Sequence, residues 1–79
     1  MENKEEIVLD ILDRAEQRPW KVESAILGKL PAVYMRTKKI DHDKAVALTL
    51  ELINKLGSLD DGTEILEIRE KLLTLIDLD

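Results

Sequence analysis

Apolar residues recur along the chain at the three- and four-residue spacing of a helical face, in four separate runs. In the first run Ile7, Val8, Ile11, Leu12 and Ala15 share one side, while Glu5, Asp10, Asp13, Arg14 and Gln17 fall on the other. Asn3 followed three residues later by Glu6 is a capping-box-like start, in which each side chain can satisfy a free backbone N–H. Pro19 disfavours helical geometry in the residue before it, so this helix is predicted to end at Arg18.

Proline is tolerated in the first turn of a helix, and Pro19 is therefore read as opening a second one, with Val22, Ala25, Ile26 and Leu30 inside. Gly28 and Pro31 predict its interruption: the ring at 31 would collide with the Leu27 carbonyl, and glycine weakens the same turn. The expected result is a helix over 19–29, a break, and a short helical turn over "PAVYM".

Asp41 predicts a cap for a third helix over 42–56, ended by Gly57 in the left-handed conformation. Its apolar positions are Ala45, Val46, Leu48, Leu52, Ile53 and Leu56, with Leu50 off to one side and Thr49, Glu51, Asn54 and Lys55 on the surface. A fourth helix is predicted over 61–78 from Ile65, Ile68, Leu72 and Leu75, with Leu66, Leu73 and Ile76 beside them. The short connector "GSLDDG" predicts that helices 3 and 4 form an antiparallel hairpin. The fold class expected is all-α: a small four-helix bundle in one domain over 1–79, with helix 2 interrupted near Gly28 and Pro31.

Composition narrows how such a bundle is built. Hydrophobic residues make up 44% of the 79 positions but aromatics only 3%, with no Phe, so the core must come from Leu, Ile, Val and Ala. A chain this short buries little more than about 60% of its unfolded surface, so modest stability and self-association are expected. Cysteine is absent, which removes disulfides, thiolate metal sites and cysteine nucleophiles. Acidic residues stand where a signal peptide would be basic, and no apolar run approaches the roughly 18 residues of a membrane span, which predicts a cytoplasmic protein with no membrane contact.

The net charge of −5 is unevenly spread: residues 1–17 sum to −4, residues 18–44 to +4 and residues 45–79 to −5. In the positive third, "YMRTKKIDHDK" (34–44) holds four of the twelve basic residues and the only histidine. Asp41, His42 and Asp43 are suitable metal ligands by type, but three consecutive residues at a helix start point in different directions, and no further His or Cys completes a zinc site. A helix cap with charges favouring the positive end of the dipole explains them with less. As an acid or base, His42 would need a pocket and an orienting partner that a bundle this small has little room for. "LDDGTE" (59–64) lacks the alternating oxygen ligands and distal Glu of an EF-hand loop, and Asp60 or Asp61 is read as a helix cap. Neither "GSLDDG" nor "ILGKLP" has the spacing of a phosphate-cradling loop. No residue is assigned a catalytic, cofactor-binding or metal-ligating role, and the chain is expected not to be an enzyme and to need no cofactor.

Charge and aromatics point instead to partners. Trp20 and Tyr34 are the only aromatics. A lone Trp in a leucine-rich bundle is first read as a core filler, whereas Trp, Tyr and Arg also dominate binding hot spots. Trp20, Tyr34, Met35, Arg36, Lys38 and Lys39 are therefore the candidate partner-binding residues. The bland alternative pairs Lys38 or Lys39 with Asp10, Asp13 or Glu67 across the bundle, each exposed pair contributing only about 0–1 kcal/mol. The expected function is a small protein–protein interaction module, a regulator, adaptor or inhibitor, working through a helical surface and self-associating as a homodimer. One alternative is a nucleic-acid-associated protein using the patch Arg36 to Lys44, disfavoured because Asp41 and Asp43 sit in it and no helix supplies a base-reading face. Another is an acidic inhibitor that imitates nucleic acid through the acidic faces of helices 1 and 4, with Glu67, Glu70 and Asp77 as the positions to test.

Overall fold

The computed structural model describes residues 3–60 and 62–78. Its elements run α1 (Lys4–Arg14), a 3₁₀ turn (Pro19–Lys21), α2 (Val22–Lys38), α3 (His42–Leu56) and α4 (Ile65–Leu75). Asn3 starts α1 through its side chain, whose Oδ1 accepts from the backbone N–H groups of Glu5 at 2.8 Å and Glu6 at 3.3 Å.

The first helix ends earlier than Pro19 alone predicts. It stops at Arg14 with Ala15 as cap, where the Glu16 N–H donates to the Asp13 carbonyl at 2.9 Å and the Gln17 N–H to the Leu12 carbonyl at 3.0 Å. That pair of bonds is a Schellman closure, and it places Glu16 and Gln17 at φ +55° and +58°. A non-glycine residue there costs about 1–2 kcal/mol. The turn folds α2 back onto α1 and buries Ala15 and Pro19, which offsets that cost. Arg18 is extended, as the following proline requires.

The predicted interruption of helix 2 is absent: α2 is continuous from Val22 to Lys38 with Pro31 inside it. Proline in a helix interior costs about 3 kcal/mol or more, mostly through the missing N–H and the ring's collision one turn back. Here the C-terminal half is tied to the same core as the N-terminal half, because Leu30, Pro31, Val33 and Tyr34 are all buried. Burying one aliphatic or aromatic side chain contributes about 1.5–3 kcal/mol, so several together outweigh the proline. Leu27, whose carbonyl loses its donor, lies on the solvent side where water can replace it.

Lys39, at φ +53°, ends α2, and Asp41 Oδ1 accepts from the Lys44 N–H at 2.9 Å to start α3. The range 42–56 is the one the hydrophobic pattern predicts. Two details differ. Thr49, expected on the surface, is fully buried, its hydroxyl donating to the Ala45 carbonyl at 2.8 Å so that it enters the core without an unpaired polar atom. Gly57 has positive φ (+85°) but ψ of −169°, an extended mirror-image geometry rather than the left-handed helical one.

The fourth helix is shorter than the predicted 61–78 because the residues before it make their own turn. Asp60 Oδ1 accepts from the Gly62 N–H at 2.9 Å, the Asp60 N–H donates to Thr63 Oγ1 at 3.2 Å, and the Thr63 N–H donates to the Asp60 carbonyl at 3.0 Å. Asp60 is thus a turn residue rather than a helix cap; Asp61, the other candidate, lies outside the described residues. Glu64 precedes α4 without a side-chain cap, and Ile76 follows it in extended backbone while staying fully buried.

The helices pack α1 on α2, α2 on α3, α3 on α4 and α4 on α1, closing a ring around one mainly aliphatic core that also takes in Tyr34. Val8, Ile11, Val22, Ile26, Leu30, Val33, Ile68, Leu72 and Ile76 are its solvent-inaccessible centre. The chain is a small all-α helical bundle, and α2 shares its largest interface with α3.

Candidate partner-binding surface

The continuity of α2 decides which side chains meet. Leu27 and Met35, eight residues or two turns apart on α2, project within about 80° of each other with the buried Pro31 between them, and Trp20 precedes the helix in the 3₁₀ turn. All three are exposed, at 51%, 40% and 37%. The other exposed positions between them are the small residues Ser24, Gly28 and Ala32, together with Glu23 toward one flank. The strip is roughly 22 Å long at the helical rise of 1.5 Å per residue.

Basic residues stand at both ends. Arg18 and Lys21 lie beside Trp20, and the Arg18 guanidinium is 5.6 Å from the centre of the indole ring, a cation–π distance. Lys21 pairs with Glu16. At the other end Arg36 and Lys39 are exposed beside Met35. From Arg18 to Lys39 the sequence carries six basic residues and one acidic, a net +5, leaving −10 on the rest of a chain of net −5. The bundle therefore has one basic helix.

Of the six candidate partner-binding residues, the structure exposes Trp20 in the 3₁₀ turn before α2, Met35 and Arg36 on α2, and Lys39 as its C-cap. Trp20 is not the core filler that a lone Trp in an aliphatic bundle suggests. It sits in the 3₁₀ turn that precedes α2, at the opposite end of the strip from Met35 rather than beside it. Tyr34 is buried at 3% exposure, and its ring carries the Lys38 ammonium 5.9 Å from its centre. Burial pushes the Tyr34 phenol above its ordinary value; the Asp77 carboxylate adds to the rise, and a backbone hydrogen bond with Asp77 partly offsets it. Tyr34 and Lys38 belong to a depression of about 180 Å³ shared with Glu51, Leu52, Lys55 and Asp77. It is smaller than the roughly 300–1,000 Å³ typical of ligand pockets, and its Lys55 and Glu51 pair with each other at 3.7 Å.

The cross-bundle pairing is made by a residue the sequence did not single out. Lys29 reaches Asp10 at 3.1 Å and ties α2 to α1, with Arg14 on the same carboxylate at 3.1 Å. The Lys29 hydrogen bond is the largest cause holding Asp10 below its ordinary value, with Arg14 adding and partial burial opposing. Asp41 serves as the α3 cap, and among the described residues no three His, Asp or Glu side chains converge on a metal position. Among the same residues no helix is long and apolar enough to cross a membrane.

Neither a family model, nor a curated protein, nor a solved structure matches this chain.

The strip was missed in the sequence for a definable reason. Leu27 faces the same way as Met35 only if residues 28–31 are helical, and the signals for an interruption there hid the two-turn spacing that links the two. Leu9, Leu50 and Leu66, at 55%, 51% and 70% exposure, are further outward leucines, on α1, α3 and α4.

Proposed function

We propose that the protein is a small, non-enzymatic protein–protein interaction module, a regulator, adaptor or inhibitor that works through the outer face of α2. The observation that supports this is the exposed strip Trp20–Leu27–Met35 with basic residues at both ends. Large apolar side chains cost free energy when left in water, and a Trp beside Arg is the composition of an interface hot spot. Arg36, Lys38 and Lys39 then serve as the charged rim, which sets the partner's orientation and encounter rate more than its affinity. Tyr34 is assigned a supporting role, holding Lys38 in place from beneath. The reading is tested by affinity capture from the native host with the wild-type protein and with Trp20→Ala and Met35→Glu variants whose circular dichroism is unchanged. A partner lost with both variants is the expected result; a partner retained by both moves the site elsewhere.

Self-association is the second part of the proposal, supported by Leu50 and Leu66, which stand half or more exposed on α3 and α4. Such residues become covered if a second copy packs there. Light scattering across micromolar concentrations should show a dimer that Leu66→Lys disrupts, and a strict monomer refutes it.

A further inference from the structure

From Leu72 to Leu78 the sequence holds no glycine or proline, and its apolar period would carry a helix through the whole stretch. The helix nevertheless stops at Leu75, and Ile76 takes ordinary extended backbone at φ −71° and ψ 121°. No left-handed cap residue ends α4, and its last turn carries no basic side chain. Docking is what holds the next residues off the helix. Ile76 is fully buried, Leu78 packs against the core, and Asp77 between them lines the depression that Tyr34 of α2 shares with α3. A backbone hydrogen bond joins Asp77 to the Tyr34 phenol. We infer that Ile76–Leu78 is a strap that closes the α2–α3 depression over Tyr34 and opens by continuing α4 as helix, with Ile76 as its pivot.

The open state follows from helical geometry. Ile76 stands four residues after Leu72 and eight after Ile68, both buried, so it stays on the inner stripe whether the strap is extended or helical. In the helical state Leu78 falls in line with Thr74 and Lys71, which are exposed, and Asp77 falls in line with Leu73, away from Tyr34. Two local effects favour closure: the partial burial of Leu78, and the disfavoured position of a carboxylate at the negative end of a helix. Opening gains the helical bonds from the Asp77 and Leu78 N–H groups to the carbonyls of Leu73 and Thr74, and leaves the main core in place. It uncovers Tyr34 and Leu52, with Lys38 and Lys55 beside them. The inference does not rest on what α2 binds.

Tyr34 is the only tyrosine, so its nitration by tetranitromethane, followed by mass, reads access to the depression. Leu78→Lys removes the docked leucine and places a cation where a helix end favours one. With circular dichroism and urea unfolding showing an intact bundle, nitration should run about tenfold faster than in the wild type, the scale set by losing the burial of part of a leucine. The Cα chemical shifts of residues 76–78 should move from extended to helical values. In the wild type the nitration rate should stay flat in urea well below the unfolding midpoint, because opening the strap exposes little surface, whereas access through global unfolding climbs from the first addition. If Leu78→Lys does not fold, Asp77→Asn carries the same test: it keeps Leu78, removes the charge that the helix end opposes, and should move the rate and the shifts in the same direction. Nitration at the wild-type rate in the folded variant overturns the inference. So do shifts at 76–78 that become random-coil rather than helical, and so does a wild-type rate that climbs with urea throughout.

Discussion

Replacing Gly28 by alanine asks directly whether α2 is helical at its glycine. Glycine in a helix interior is less favourable than alanine by about 0.8–1.0 kcal/mol, because it loses more backbone freedom on folding. The steric side adds nothing here: no heavy atom lies within 4 Å of the added methyl, and Gly28 is exposed. The new methyl gains little burial for the same reason, so the expected stabilisation is the propensity difference itself, about 0.8–1.0 kcal/mol. In a domain of this size that raises Tm by roughly 4–8 °C. Urea unfolding followed by circular dichroism should show a higher midpoint at unchanged slope, since neither state changes its exposed area. Gly57→Ala is the internal control: at φ +85° alanine is strained, and stability should fall. A gain below about 0.3 kcal/mol at Gly28 refutes the reasoning, because glycine outside a helix carries no such propensity cost.

Other expectations follow from single residues. Ile68→Ala removes a side chain with no solvent exposure from the centre of the ring and should cost about 2–5 kcal/mol in urea unfolding; a cost under 1 would mean that the core collapses freely around it. Gln17→Gly relieves a left-handed residue at φ +58° and should add about 0.5–1 kcal/mol, and a loss would show that the Gln17 side chain has a contact of its own. Tyr34 has a raised folded value, so its contribution is complete below its ordinary value of 10.0 and is lost as pH rises through the folded one. Stability should hold through neutral pH and fall in alkali, and Tyr34→Phe should flatten that fall in a pH series of unfolding curves. Asp10 has a lowered folded value, so its contribution is complete above 3.8 and is lost as pH falls toward the folded one; Asp10→Asn should reduce the acid-side loss, and an unchanged acid limb rejects the Lys29 pairing as a contributor.

What the sequence by itself determined is the part governed by neighbours within one helical turn. Helix α3 is legible end to end because Asp41, an uninterrupted apolar period and Gly57 are all local signals, and the start of α1 follows from Asn3 in the same way. The buried stripe of α2 over Val22, Ala25, Ile26 and Leu30 is likewise a matter of period alone. The rest was set by burial. Whether Pro31 breaks a helix depends on how much apolar surface its two halves share with the core, and no local rule contains that quantity. Whether Glu16 and Gln17 accept a left-handed turn depends on α2 needing to fold back onto α1. Thr49 can be buried because the Ala45 carbonyl of its own helix takes its hydroxyl, and packing makes use of that. The exposed strip on α2 is the consequence of the first of these decisions: it exists because packing outweighs proline, and that balance is struck between helices rather than along one.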